Sequence, residues 1–171
     1  MTVKEIPSNE YAAWFAGYLD AVDESMDLRQ GMKKTCTQII EFFAGLADRG
    51  DFRYAPEKWS LKEVFQHVVD TERIFAYRLL RLGRGDSTPL SGFDQDIYNL
   101  HAEVEKKSMD ELIDEFRVTR QHTDGILESL SDRNLRFIGT SSGEALSARA
   151  AAFIIIGHAA WHERMIRERY L

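Results

Sequence analysis

Two short stretches, "KWSLKEV" and "KSMDEL", constrain most strongly how this chain can fold. Each places a Ser three residues ahead of a Glu: Ser60 with Glu63, and Ser108 with Glu111. That spacing is a capping box, in which the Ser hydroxyl accepts from the N–H of the third helical residue and the Glu reaches back to the N–H of the cap. Trp59 and Val64 can add a hydrophobic staple around the first. Both devices open long runs of helical periodicity. They predict helices from about Ser60 to Leu82, stopping before Gly83 and Gly85, and from Ser108 to about Leu130. The second carries Leu112, Phe116, Thr119, Thr123, Ile126 and Leu130 along one stripe.

A further helix is predicted from about Ser147 towards the C-terminus, where Arg164, Arg167 and Arg169 suit the negative end of the helix dipole. A less sharply bounded one lies in "DLRQGMKKTCTQIIEFFAGLADRG", with Ile39, Phe43 and Leu46 at helical spacing and Gly50 as a stop signal. A shorter helical piece is expected around "NEYAAWFAGYLD". No strand pattern of useful length is visible, and Pro7, Pro56 and Pro89 all fall outside the helices. The expectation is an all-α four-helix bundle occupying residues 1–171 as one domain. The connection "GRGDSTPLSGFDQDIYNLHAEVEKK" is long for a bundle and is expected to border a cleft.

The net charge of -6 and the absence of a long basic run argue against a nucleic-acid partner, which needs a basic footprint. A small-molecule partner is expected instead. No apolar stretch reaches the ~20 residues of a membrane span, and "MTVKEIPSNEYAAW" has no basic run followed by an apolar one, so a cytoplasmic protein is expected. Cys36 is the single cysteine, which removes any internal disulfide; in "KKTCTQIIEFF" it reads as an ordinary helical residue.

The closing stretch "GHAAWHERMIRERYL" carries the chemistry. His158 and His162 are four apart, one helical turn, and they share a face with Ala151, Ile154, Ile155, Met165 and Ile166. His67 falls with Val64, Val68, Thr71 and Ile74 on the corresponding face of its helix. Three imidazoles are thus directed into one interior, either as core histidines or as ligands. A pair at i, i+4 plus a third from a neighbouring helix offers one triangular face to a divalent cation and leaves positions open.

"KWSLKEVFQHVVDTERIFAYR", then "GFDQDIY", then "GHAAWHERMIRERYL" resembles the DinB-like, YfiT-like superfamily of metal-binding four-helix bundles. The name refers to damage induction and not to the DNA polymerase that shares it. The resemblance runs from the first long helix to Leu171. It implies a divalent metal, commonly nickel or zinc, on a His of the second long helix and an H-x-x-x-H pair of the last. His67, His158 and His162 match those positions. Relatives often carry a Glu after the first His of the closing pair and a further His before the last; here those positions are Ala159 and Trp161.

Asp70 is either a partner that orients an imidazole or a metal-bound water, or a plain helix carboxylate. Arg78 is expected to pair with an acid between helices, contact with an anionic substrate being the alternative. His101 and His122 are expected at the surface. "GTSSG" matches G-x-S-x-G only formally, since that nucleophile turn needs an α/β sheet; it reads as a turn. "GRGDST" lacks the Lys of a phosphate loop and reads as a helix stop.

The resemblance implies the metal more firmly than the reaction. The leading expectation is a metal-dependent enzyme that activates a low-molecular-weight thiol, as co-substrate, for S-transfer or isomerisation in detoxification or stress response. The alternatives are a metal-dependent hydrolase and a non-catalytic metal-binding stress protein. A homodimer is expected, as in relatives.

Overall fold

The computed structural model describes residues 1–171. Three 3₁₀ turns lead into a short helix α1, Ala16–Leu19. The long helices are α2 (Leu28–Ala44) and α3 (Leu61–Gly83), followed after the short α4 (Gln95–Leu100) by α5 (Met109–Glu128). A one-turn helix α6 (Asp132–Leu135) precedes a hairpin of β1 (Ile138–Ser141) and β2 (Glu144–Ser147), and α7 (Ala148–Arg169) closes the chain. Both capping boxes form. Glu63 N–H donates to Ser60 Oγ at 3.2 Å, and Ser60 N–H donates to Glu63 Oε2 at 2.5 Å. The same pair of bonds joins Ser108 and Glu111 at 3.2 and 2.7 Å. Ser147 caps α7 by accepting from Ala150 N–H at 3.0 Å.

Around the bundle the neighbours run α2, α5, α3, α7 and back to α2. The successive long helices α2 and α3 therefore lie across a diagonal, where the rings of Phe43 and Phe65 stack with centroids 3.8 Å apart. The order also makes α3 and α7, the two histidine-bearing helices, direct neighbours.

The core is two apolar clusters separated by a polar layer. One holds Met32, Phe75, Leu79, Ile126, Leu130 and the α7 residues through Ile156; the other holds Ile39, Phe43, Val68, Val69, Phe116 and α7 from Ala159. Between them each helix contributes polar groups: Thr35 from α2, His67, Thr71 and Glu72 from α3, Thr119, Arg120 and Thr123 from α5, and His158 from α7. Arg120 and Glu72, 1% and 2% exposed, meet in a two-pronged ion pair at 2.7 and 2.8 Å. Arg120 Nη1 also donates to Met32 O and Thr35 Oγ1, at 2.8 and 3.0 Å, so the buried charge has several partners.

The expected stripe is buried along its length, from Leu112 on α5 to Leu130 just past the end of that helix. Two points differ from the sequence reading. The segment before residue 23, where only a short helical piece is expected, is built into the core: Leu19 and Val22 join the cluster of Met32 and Phe75, and Glu10 makes a buried ion pair with Arg149 of α7. The first half of α7 is consequently enclosed on every side. The second difference is the hairpin, whose four-residue strands are too short to show an alternating pattern. Ser142 and Gly143, at φ 54° and 84°, form the two-residue turn with both central residues left-handed, the geometry that matches strand twist. Its edge is extended by a parallel bridge from Leu90 to Ser141.

Candidate metal centre

Helical repeat places His158 and His162 one turn apart on α7, and the α3–α7 contact brings His67 against them. His67 Nε2 lies 3.0 Å from His158 Nε2, which lies 3.1 Å from His162 Nε2. One nitrogen from each ring falls within 4.8 Å of the other two, and all three side chains are buried. Such a cluster has no complete internal hydrogen-bond solution. A neutral imidazole nitrogen offers either one proton or one lone pair, so His158 Nε2 can serve only one of the two nitrogens that approach it. A cation shared by three lone pairs resolves the conflict. The spacing also suits it, because nitrogens held about 2.0–2.1 Å from a four-coordinate zinc lie roughly 3.3–3.4 Å apart. The donor set therefore fits a divalent ion.

Burial holds the rings in the form that ligation needs. Desolvation pulls His67 down from its ordinary value to about 4. It pulls His162 down to about 3, with a further contribution from His67. His158 is pushed well below the usual range by burial and then by both neighbours. All three are neutral at pH 7, with lone pairs free.

Aromatic rings close round the cluster. Trp59 lies 5.1 Å from the His67 ring, Tyr18 packs edge-on to His158 at 5.0 Å, and Trp161 edge-on to His162 at 4.9 Å. Thr71 Oγ1 stands 3.5 Å from His67 Nδ1, at the limit of a hydrogen bond, and favours presentation of Nε2 to the cluster. His162 Nδ1 is buried without a partner. Where relatives often carry a Glu and a further His, Ala159 is buried in the cluster of Ile39 and Phe43 and Trp161 borders a cavity.

Two cavities reach the histidines. One, of about 420 Å³, is bordered by His67, His158, Thr71 and Arg78; the other, of about 380 Å³, by His67, His162, Trp59 and Trp161. Tyr18 and Gln95 border both. The long connection after α3 does border the cleft, through Gly92, Phe93 and Gln95. A larger depression of about 540 Å³, around Asp48, Asp51 and Asp110, contains no histidine.

Tyr18 is the site residue that the sequence did not reveal. Its ring touches His158 across 140 positions of chain, and burial raises its hydroxyl above the ordinary value. The one local signal was Gly157, beside His158, where α1 approaches too closely for a side chain.

The other candidates resolve individually. Asp70 accepts from Gln66 Nε2 and Arg73 Nη1, at 3.1 and 3.0 Å, and behaves as the plain helix carboxylate. Arg78 makes no ion pair, contrary to the expectation that it would. It donates from Nη2 to Ser91 O at 3.0 Å and Ser142 Oγ at 3.3 Å, because the loop and hairpin bring backbone and hydroxyl to it instead of an acid. His101 and His122 are exposed. The half-buried Cys36 thiol is pushed up by burial and is not activated. "GTSSG" is the hairpin turn, and Ser141 leads into a strand rather than a helix.

Among solved structures, the chain is similar to YfiT from Bacillus subtilis, described as a probable metal-dependent hydrolase with an unusual four-helix bundle topology. The match has a TM-score of 0.66 at 16% identity and covers 86% of this chain and 89% of that one, which speaks to the fold. A comparison with curated proteins gives no match. The profile of the DinB superfamily matches residues 37–166, a span that includes all three clustered histidines. With its bundle, and over most of its length, the chain belongs to the DinB superfamily.

Proposed function

We propose that this protein is a metal-dependent enzyme acting on small molecules, in which His67, His158 and His162 hold a divalent cation, nickel or zinc. The observation that carries the reading is the convergence of three buried, neutral imidazole nitrogens that cannot satisfy one another. Bound there, the cation would supply Lewis acidity that lowers the pKa of an adjacent thiol or water. The chain's own part is to orient and enclose. Thr71 and the packing of Trp59, Tyr18 and Trp161 hold the rings in place. Two cavities admit ligands to the same cluster.

The reaction we assign is transfer of a low-molecular-weight thiol to an electrophile, in detoxification or stress response. Three neutral donors compensate none of the cation's charge, so an anionic partner such as a thiolate is favoured. Hydrolysis is the second reading, favoured by the description of YfiT and needing a group to take a proton from water. Asp70 is already engaged, whereas Glu57 and Asp96 border the smaller cavity.

Elemental analysis of untagged protein, followed by cobalt substitution, tests the proposal. Near-stoichiometric metal and a cobalt spectrum that moves on adding thiol are expected. No metal uptake on titration would overturn the metal reading; a spectrum unmoved by thiols would overturn the thiol assignment. A raised melting temperature with metal, without exchangeable ligands or turnover, would instead indicate a stabilising ion in a non-catalytic stress protein. We also propose a homodimer, and sedimentation as a monomer at micromolar concentration would refute it.

A further inference from the structure

Three arginines are buried to 4% exposure or less, and two of them face a carboxylate of the chain: Arg120 meets Glu72, and Arg149 meets Glu10. Arg78, 2% exposed, meets none. Only its Nη2 has acceptors, Ser91 O and Ser142 Oγ, so Nε and Nη1 have no acceptor from the chain. A guanidinium has five N–H donors and stays charged, and a buried charge without a counter-ion is costly unless a ligand supplies one. Its Cζ lies over the rings of Phe75 and Phe93, 4.7 and 5.9 Å from their centroids. Ser142, which accepts from it, is fixed in place as the first central residue of the β1–β2 turn.

Arg78 borders the same 420 Å³ cavity as His67 and His158. No Asp or Glu borders that cavity, and Arg78 is the one Arg or Lys on its wall. Much of the remaining wall is apolar, from Trp14, Phe15, Phe75, Phe93 and Ile154. Arg78 follows His67 by eleven residues of one helix, about 16 Å of rise before both side chains reach inwards.

We propose that this cavity is a carboxylate-recognition subsite anchored by Arg78, and that the substrate class of the site is a small organic acid with an apolar or aromatic body. A single guanidinium charge is balanced by a monoanionic carboxylate, which its unengaged Nε or Nη1 can meet, whereas a phosphate dianion would bring a second charge with no partner. The acid's far end then lies at the histidines. That last placement rests on the metal reading above; recognition by Arg78 does not.

The test uses metal-free protein and 3-phenylpropionate as probe, with 3-phenylpropanamide as its uncharged counterpart and 2-phenylethylphosphonate as the dianionic one, in calorimetric titrations. Expected are binding of the acid at least tenfold tighter than the amide, and loss of that difference in Arg78→Gln. Equal binding of acid and amide would overturn the proposal, and tighter binding of the phosphonate would overturn the carboxylate assignment. Because a buried substitution can unfold the chain, the wild type is also treated with phenylglyoxal and its arginines followed by mass spectrometry. The probe should slow modification of Arg78 severalfold and leave Arg164 unaffected; unchanged modification of Arg78 would refute the subsite. Cobalt uptake, measured separately, reports on the metal reading alone.

Discussion

The carbonyl oxygen of Tyr18 occupies the space a side chain at Gly157 would need: a Cβ at that position would lie 1.9 Å from it. The missing side chain lets α1 press its backbone onto α7 one residue before His158, and so sets the Tyr18 ring against the imidazole. Gly157→Ala should therefore cost about 1–3 kcal/mol through forced backbone movement, although Ala is the better helix former. Thermal unfolding would show the loss, and increased solvent access to Tyr18 would show where it arises. An unchanged or raised melting temperature would show that α1 yields without consequence.

His158 is the nitrogen shared by both short contacts of the cluster, at 3.0 and 3.1 Å. His158→Ala is expected to reduce bound metal to a small fraction of stoichiometric, while His122→Ala, an exposed control, leaves it unchanged. Elemental analysis of both variants beside the wild type decides it. Equal metal in all three would place any bound ion elsewhere.

The ion pair of Glu72 and Arg120 lies in the same polar layer but outside the histidine cluster. Glu72→Ala leaves Arg120 charged and buried, and should cost about 3–5 kcal/mol in denaturant unfolding. Replacing both together, Glu72→Met with Arg120→Leu, should recover most of that loss, because the desolvation of two charges disappears with them. A double variant no more stable than the single would show that the bonds of Arg120 to Met32 O and Thr35 Oγ1 contribute most.

Acid should weaken the metal-free protein through the histidines. Their folded values are lowered, to about 4 for His67 and about 3 for His162, with His158 also held well below its ordinary value, against about 6.5 when unfolded. Between those limits the unfolded chain binds more protons than the folded one. The stabilisation is thus complete above about pH 6.5 and declines as pH falls towards the folded values, by up to about 1.4 kcal/mol per pH unit for each histidine. Denaturant unfolding from pH 7 to pH 4.5 measures it. His67→Gln should flatten the slope by about one histidine's share, and an unchanged slope would mean that the ring is solvated in the native state.

The chain's local sequence determined where the long helices begin, through two capping boxes, and which faces turn inwards, including those of His67, His158 and His162. Such features depend on residues within a turn or two of one another, so they are legible without the fold. Tertiary structure decided the rest. The order α2, α5, α3, α7 makes the histidine helices neighbours, and no helical period encodes it. The hairpin escaped notice because four residues of strand carry too little alternation, and Tyr18 because its partner lies 140 positions away. The arginines show the limit most clearly. With 28 acids for 22 basic residues, spacing cannot say which charge meets which. Packing joined Arg120 to Glu72 and Arg149 to Glu10, and left Arg78 facing a cavity, since pairing at long range is settled by which helices touch and what the loops place between them.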